Sequence, residues 1–301
     1  GRAEVRPRLV GKVHTDPRER VGNSVCDSGT ATWCASRAHI VGRHFLGRRE
    51  LDCMTEAVRE WWEATAEYFQ DETDIDVVVH WGCLGPDVDD EAMIGDVSGA
   101  DVVEPGCGGG QLTVALASRG ATVTGADLSI EQLAHAGALA AEHDVSDAIE
   151  FVQGDVTDLP LADESFDVAC NAFVFQWVND IEAAFAEVLR VLRPGGRFAF
   201  STPHPYYRLL DPETGAVDES YFDTGRQVRD SEDGLPELVT YRNTVSDYHA
   251  ALRDAGFEIE RMLEPGSPDP DDYEAGPWGE RKPELLATVP SVLAVAARKP
   301  A

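Results

Sequence analysis

Lysine is nearly missing from this chain: Lys12, Lys282 and Lys299 are the only three in 301 residues. With 25 Lys+Arg against 55 Asp+Glu, the formal net charge is −30. A surface of that sign repels phosphate backbones, and no basic cluster in the sequence offsets it, so no nucleic-acid partner is expected. Apolar runs near ~18 residues are also missing, and with them any expected membrane span. The amino end, GRAEVRPRLVGKVHTDPRER, lacks the apolar stretch of a secretory signal, which leaves the cytoplasm as the expected location. Cys26, Cys34, Cys53, Cys83, Cys107 and Cys170 form no C-x-x-C pair and match no zinc-finger histidine spacing. They read as free thiols in a reducing compartment, and no metal site is expected.

The charge is unevenly spread. Residues 1–53 hold 10 bases and 6 acids, whereas residues 54–301 hold 15 bases and 49 acids. Acid excess with so little lysine resembles proteins of high-salt cytoplasm, where dense counterions screen self-repulsion, so a halophilic source is expected. The reversal of sign divides the chain into residues 1–53, expected to be disordered or extraneous, and a folded domain over 54–301, with Met54 as the native start. MTEAVREWWEATAEYFQ, from Met54, has helical periodicity. Thr55 is its expected N-cap, and Val58, Trp61, Trp62, Thr65 and Phe69 lie near one face.

From residue 100 short apolar runs alternate with helical patterns, which predicts a parallel sheet wrapped by helices. Strands are expected at 100–104, 121–127, 148–155, 165–173 and 197–202. The helices between them include one capped by Ser129 and one over 180–192 that is broken by Pro194, Gly195 and Gly196. A helix over 244–255 ends at Gly256, and the runs at 257–263 and 291–297 suit an edge hairpin of sequence-distant strands. Residues 203–243 and 264–290 read as long insertions, either lids or disordered segments.

The stretch VVEPGCGGGQ (102–111) ends a strand with an acid and a glycine-rich turn. Such a turn, opening a helix, aims backbone N–H groups at a ligand and lets it approach closely. Neither a P-loop nor G-x-G-x-x-G fits: no Lys-Ser/Thr pair follows, and Gln111 stands where the third glycine would be. What fits is E-x-G-x-G-x-G, formed by Glu104, Gly106, Gly108 and Gly110. An acid there suits a cationic amino group. Asp127, 19 positions beyond Gly108, suits a pair of ribose hydroxyls, with a helix-capping role as the alternative. Together they point to a nucleoside with a positive amino-acid tail, which describes S-adenosylmethionine.

At these residues the sequence resembles the class I S-adenosylmethionine-dependent methyltransferases, in their small-molecule, type 11-like branch. VVEPGCGGG matches the acidic glycine motif, VTGADLS the ribose-binding acid, and Gln153-Gly154-Asp155-Val156 the third-strand element. LPLADESFDVACNAF and LRVLRPGGRFAFS match the fourth- and fifth-strand regions. Pro105 departs from the Leu or Gly of many members and removes one backbone donor. The resemblance implies a Rossmann-like, doubly wound α/β fold with a seven-stranded, mostly parallel sheet. It also implies that Asp127 and Leu128 meet the ribose end of the cofactor, that Asp155 and Val156 meet the adenine, and that Asn171 lies near the methionine moiety. Asp155 as a plain turn residue remains the alternative.

Methyl transfer needs a general base only where the acceptor must lose a proton. His204, Tyr206 and Tyr207, in STPHPYYRLL after the fifth strand, are the candidates for that edge of the sheet, against a structural role for the histidine. Trp61 and Trp177 could equally pack the core or wall the pocket. A small-molecule acceptor is expected, and nothing in 54–99, 203–243 or 264–290 names it. An NAD(P)-dependent oxidoreductase and a non-catalytic S-adenosylmethionine-binding protein remain as rivals.

Overall fold

The computed structural model describes residues 48–73, 75–81, 88–211, 214–217, 219–229, 235–273 and 282–301. Helix α1 (Arg48–Thr73) and the short α2 (Asp90–Ile94) lead into an alternating series. It runs β1 (Asp101–Pro105), α3 (Gln111–Ser118), β2 (Thr122–Asp127), α4 (Ile130–Glu142), β3 (Ile149–Gln153), β4 (Phe166–Ala172), α5 (Ile181–Val191) and β5 (Leu192–Pro203). A two-stranded ribbon, β6 (Gly225–Arg229) with β7 (Leu238–Arg242), comes next. Then follow α6 (Val245–Ala255), β8 (Glu258–Leu263), α7 (Pro283–Leu286) and β9 (Val292–Arg298). The main sheet has seven strands in the order β3-β2-β1-β4-β5-β9-β8. Strands β1 to β5 pair in parallel, and β9 runs antiparallel between β5 and β8.

Each central strand is apolar on both faces, as burial under helices on both sides requires. The period of two sorts the side chains. Val103, Ala169, Phe198, Phe200, Leu293 and Val295 enter the core beneath α5 and α6, while Val102, Val168, Cys170, Ala199 and Ala294 enter the one beneath α2 and α3. The first core centres on Phe175, Phe185, Phe198 and Phe200, all fully buried, with Phe175 edge-on to Phe185 and to Phe200 at 4.9 Å each. Helix starts follow the expected chemistry: Ser129 accepts from Gln132 N, and Asp180 from Ala183 N. Thr244 forms a full capping box with Asp247, and Gly256 closes α6 at φ 110°.

Several expectations need correction. Thr55 is not an N-cap, because α1 begins at Arg48 and Thr55 lies inside it. The expected disorder of residues 1–53 falls, up to residue 47, outside the described residues. Arg193-Pro194-Gly195-Gly196 does not break the chain into a free turn. It forms an irregular stretch at the start of β5, with register shifting between the Phe166↔Leu192 and Val168↔Arg197 pairs. Main-chain bonds between Gly195 N and Lys299 O, and between Lys299 N and Gly196 O, hold it in the sheet. The 203–243 insertion contains the β6–β7 ribbon, and 264–290 contains a 3-10 turn at Pro270–Asp272 and α7. Residues 212–213, 218, 230–234 and 274–281 of these insertions lie outside the described residues.

Truncating Phe175 to Ala removes the ring at the centre of this aromatic group and is expected to cost about 3–5 kcal/mol, whereas Thr244→Ala, which removes a cap, costs about 1 kcal/mol. Urea unfolding of both variants against the parent chain measures the two, and similar losses would show that the aromatic group is not the mechanical centre of the core.

Candidate active site

In an open α/β sheet the crevice forms where neighbouring connections run in opposite directions, outside the carboxyl ends of the strands. Here that point is the end of β1, which lies between β2 and β4. The loop after β1 is the glycine turn, and three of its glycines have positive φ: Gly106 at 80°, Gly108 at 50° and Gly110 at 83°. Space as well as conformation demands glycine at 106 and 110. A Cβ at Gly106 would lie 2.6 Å from Val174 Cγ1, and one at Gly110 would lie 2.8 Å from Ala136 Cβ.

Two acids bracket the turn. Asp127, at the end of β2, accepts from Gly108 N through Oδ2 and from Ser129 N through Oδ1, both at 2.9 Å. It therefore shapes the loop as well as facing the crevice. Burial pushes its carboxyl up, partly countered by these backbone donors. Glu104 is 4% exposed, and its Oε2 accepts from Thr113 Oγ1 on α3. Burial raises its pKa to about 8; the Thr113 bond opposes the rise and the Asp127 charge adds to it. A buried carboxyl whose partners are the hydroxyl and the backbone N–H of Thr113 is under-compensated as an anion, and a cation beside it would restore the balance. Burial, with the Asp127 and Glu104 charges, also pushes up the Cys107 thiol.

The remaining predicted residues sit on adjoining loops. Gly154 N donates to Asp127 O at 2.9 Å, which brings the third-strand element beside the second. Asp155 Oδ1 accepts from Thr157 N and Oγ1, so this acid also shapes its own turn. Val156 is buried in the core on the α5 and α6 side. Asn171 is fully buried at the end of β4; its Nδ2 donates to Pro105 O at 3.1 Å and its Oδ1 has no partner among the described residues. Just beyond it, Phe173 adopts φ 59°, a strained conformation of the kind that collects at ligand sites. Leu128 packs with Trp62 and Trp177 against Val58, Val239 and Tyr241. Trp61 stacks on Trp177 at 5.5 Å, so both readings of these tryptophans meet in one aromatic wall.

His204 is 5% exposed, and both its ring nitrogens are engaged. Nε2 lies 2.8 Å from Glu264 Oε1, and Nδ1 accepts from Tyr206 N at 3.1 Å. Burial lowers its pKa, opposed by Glu264, and the neutral ring therefore carries its proton on Nε2. In this arrangement neither nitrogen is free to take a proton from an acceptor. Tyr206 is 39% exposed and Tyr207 half-buried at the start of a 3-10 turn.

Sequence reasoning missed α1's contribution. Gln70 lies over Gly109, where a Cβ would approach it to 2.4 Å. It donates to Gln132 Oε1 at 2.8 Å and accepts from Gln111 Nε2 at 2.6 Å. The signal for it was weak: Gln70 stands at the polar end of an amphipathic pattern and reads as solvent-facing.

A glycine turn that a Cβ would crowd, an under-compensated Glu104 on one side, the Asp127 carboxylate on the other and an orphaned buried amide oxygen fit a cationic nucleoside amino acid. A fold and crevice of this kind define a nucleoside-binding α/β protein. Comparison with known proteins narrows the class. The family described as "Methyltransferase domain" matches residues 103–200. A solved S-adenosylmethionine-dependent methyltransferase from Mesorhizobium loti shares 30% identity at a TM-score of 0.56, covering 69% of this chain and 94% of its own. A malonyl-[acyl-carrier protein] O-methyltransferase of Pseudescherichia vulneris is 39% identical over 112 residues, 37% of this chain and 42% of that protein. A fatty-acid O-methyltransferase of Mycolicibacterium smegmatis is 37% identical over 125 residues, 41% of this chain and 44% of that protein. The chain belongs to the S-adenosylmethionine-dependent methyltransferases. Its match spans less than half the length of the two curated relatives.

If Glu104 holds the ligand's ammonium, ligand affinity becomes pH-dependent. Its folded pKa is raised, so the folded state holds the proton between the usual carboxylate range and about 8, and this group's contribution to stability falls as pH rises through that window. A ligand ammonium needs the ionised form. Affinity for S-adenosylhomocysteine should therefore rise between about pH 6 and pH 7.5, by up to about tenfold per unit, with proton release on binding. Calorimetry in two buffers of different ionisation enthalpy measures both. A pH-independent affinity would remove Glu104 as the amine partner.

Proposed function

We propose that this chain transfers the methyl group of S-adenosylmethionine to a small-molecule acceptor by in-line displacement. The observation that carries the reading is the pair of buried acids, Glu104 and Asp127, on either side of a turn in which Gly106, Gly109 and Gly110 leave no room for side chains. Glu104 would hold the ammonium, and Asp127 would offer ribose hydroxyls the lone pairs that Gly108 and Ser129 leave unused. Asp155, Val156 and Leu128 would receive the adenosine end, and Asn171 Oδ1 the amino-acid end. The bound cofactor supplies a methyl carbon already activated by the positive sulfur. The protein's task is then positioning, which can contribute roughly 7–11 kcal/mol in well-oriented intramolecular reactions.

His204 enters as a positioning residue. It ties the backbone of Tyr206 to Glu264, so that Tyr206 and Tyr207 would form the acceptor-side rim. The two curated relatives are named for O-methylation of an acyl-carrier-bound malonyl group and of a fatty acid, which supports a small organic acceptor here. We also place the protein in a saline cytosol without a nucleic-acid partner, on the strength of the −30 charge. Among the described residues no helix is long and apolar enough to cross a membrane.

Thermal unfolding with S-adenosylmethionine, S-adenosylhomocysteine and NADH in separate samples tests the cofactor. At about 100 times the dissociation constant a ligand stabilises by about 2.7 kcal/mol, a rise of roughly 5 °C. The two adenosyl amino acids should produce it and NADH should not. Glu104→Gln should weaken S-adenosylhomocysteine on the order of 30-fold, as loss of a buried charge partner does. A response to NADH alone would return the chain to the oxidoreductases.

Salt supplies a separate check. Raising KCl from about 0.1 M to about 1 M shortens the screening length from about 10 Å to about 3 Å. The unfolding midpoint should climb accordingly, and a midpoint that stays level or falls would remove the saline-cytosol proposal.

A further inference from the structure

In a chain this acidic, positive charge gathers in one interior place. Arg208 follows Tyr206 and Tyr207 beyond β5. Among the described residues its guanidinium donates to neutral groups: to Gln176 Oε1 at 2.6 Å and to Thr240 Oγ1 at 2.7 Å. Burial lowers its pKa to about 10, with the charges of Arg229 and Arg242 pushing the same way and Glu219 opposing them. Arg242 is 4% exposed. It donates to Glu219 and to the backbone oxygens of Ser220 and Asp223, yet its Nε has no partner among the described residues. Arg229 is half-buried, desolvation lowers its pKa as well, and it makes no side-chain hydrogen bond to a described residue. Among the described residues these three guanidinium groups share Glu219 as their common anionic neighbour, although buried charges are ordinarily paired.

Arg208, at one end of this group, lies beside the turn that borders the cofactor crevice. The turn after β4 touches the glycine loop through Val174, which blocks a Cβ at Gly106, and touches Arg208 through Gln176 two residues later. Gln176 O also accepts from Tyr241 N on β7 at 2.7 Å, and Trp177 adds its ring to the aromatic wall. One short turn therefore joins the methyl-donor side, an apolar wall and a group of three arginines that, among the described residues, shares one carboxylate, Glu219.

We infer that the methyl acceptor is an organic anion with an apolar body, and that Arg208, Arg229 and Arg242 receive its carboxylate or phosphate group. The inference rests on the methyl-transfer reading above and adds the acceptor's charge to it. Guanidinium groups suit either oxyanion, because their planar donors match it in pairs. The arginines act as specificity determinants and leave the chemistry at the methyl carbon to positioning.

The experiment is calorimetric titration of the protein saturated with S-adenosylhomocysteine, using octanoate, octyl phosphate and 1-octanol as probes. At least one anion is expected to bind tenfold or more tightly than the alcohol, and the tighter of the two identifies the group. Arg229→Gln, at a residue with no side-chain hydrogen bond to a described residue, should weaken that anion by tenfold or more. The variant should hold S-adenosylhomocysteine within about twofold, and Arg229→Lys should recover part of the loss. Failure of S-adenosylhomocysteine itself to bind would overturn the methyltransferase reading. Normal cofactor binding with anions no better than octanol, or with Arg229→Gln indistinguishable from the parent, would overturn the anion inference alone.

Discussion

The hydrogen bond from Gly108 N to the Asp127 carboxylate is the constraint around which the site is organised. Its donor lies in a turn with positive φ that a side-chain-bearing residue adopts only under strain, and its acceptor ends the neighbouring strand. The same carboxylate also accepts from Ser129 N, just before α4. Through one acid, the register of β1 on β2 fixes the shape of the glycine turn and the entry of the next helix. The backbone oxygen of Asp127 extends the chain of dependence to Gly154 and so to the third loop. Three loops on three strands are thereby held in one frame before any ligand arrives, which is the pre-organisation that a positioning reaction needs.

Electrostatics inside the protein run opposite to those outside. The exterior is crowded with ionised acids, whereas Glu104 is buried deeply enough to favour its neutral form and, among the described residues, Arg208, Arg229 and Arg242 have Glu219 as their shared carboxylate. Each interior group is destabilised in its charged form by lost hydration, and each is suited to a ligand of opposite sign. A donor that is cationic and an acceptor that is anionic would be sorted to opposite sides of the turn after β4 by these two deficits.

Much of the sheet could be read from the chain because local signals and global topology agree. The apolar runs, the caps at Ser129, Asp180 and Thr244 and the glycine at 256 lie where the elements begin or end. The glycine turn and its acids were legible because their spacing along the sequence is short and fixed by the strand–turn–helix geometry. His204 was harder to read, since the carboxylate that occupies its ring lies 60 residues away on another segment. Gln70 was invisible for a similar reason: only the packing of α1 on α4 brings it over the glycine turn. The β6–β7 ribbon escaped notice because Gly225-Arg226-Gln227-Val228-Arg229 gives β6 no apolar alternation, and the five residues of β7 show only one short alternation, Val239 and Tyr241 about Thr240. Arg193 to Gly196 has the composition of a stop, and only main-chain bonding to Lys299 reveals a strand there.

Strand β9 gives the molecule a particular order of assembly. It fills the place between β5 and β8, yet it is synthesised long after β5 and after β8 as well. While the ribosome is still making residues before Val292, the apolar face of β5 that Phe198 and Phe200 present has only its β4 edge paired, and β8 has no neighbour in the sheet. The nascent chain must therefore keep an open, hydrophobic sheet edge waiting through nearly a hundred residues of translation. The acidic segments made during that interval, with their strong mutual repulsion, are well suited to keep neighbouring nascent chains from pairing with that edge.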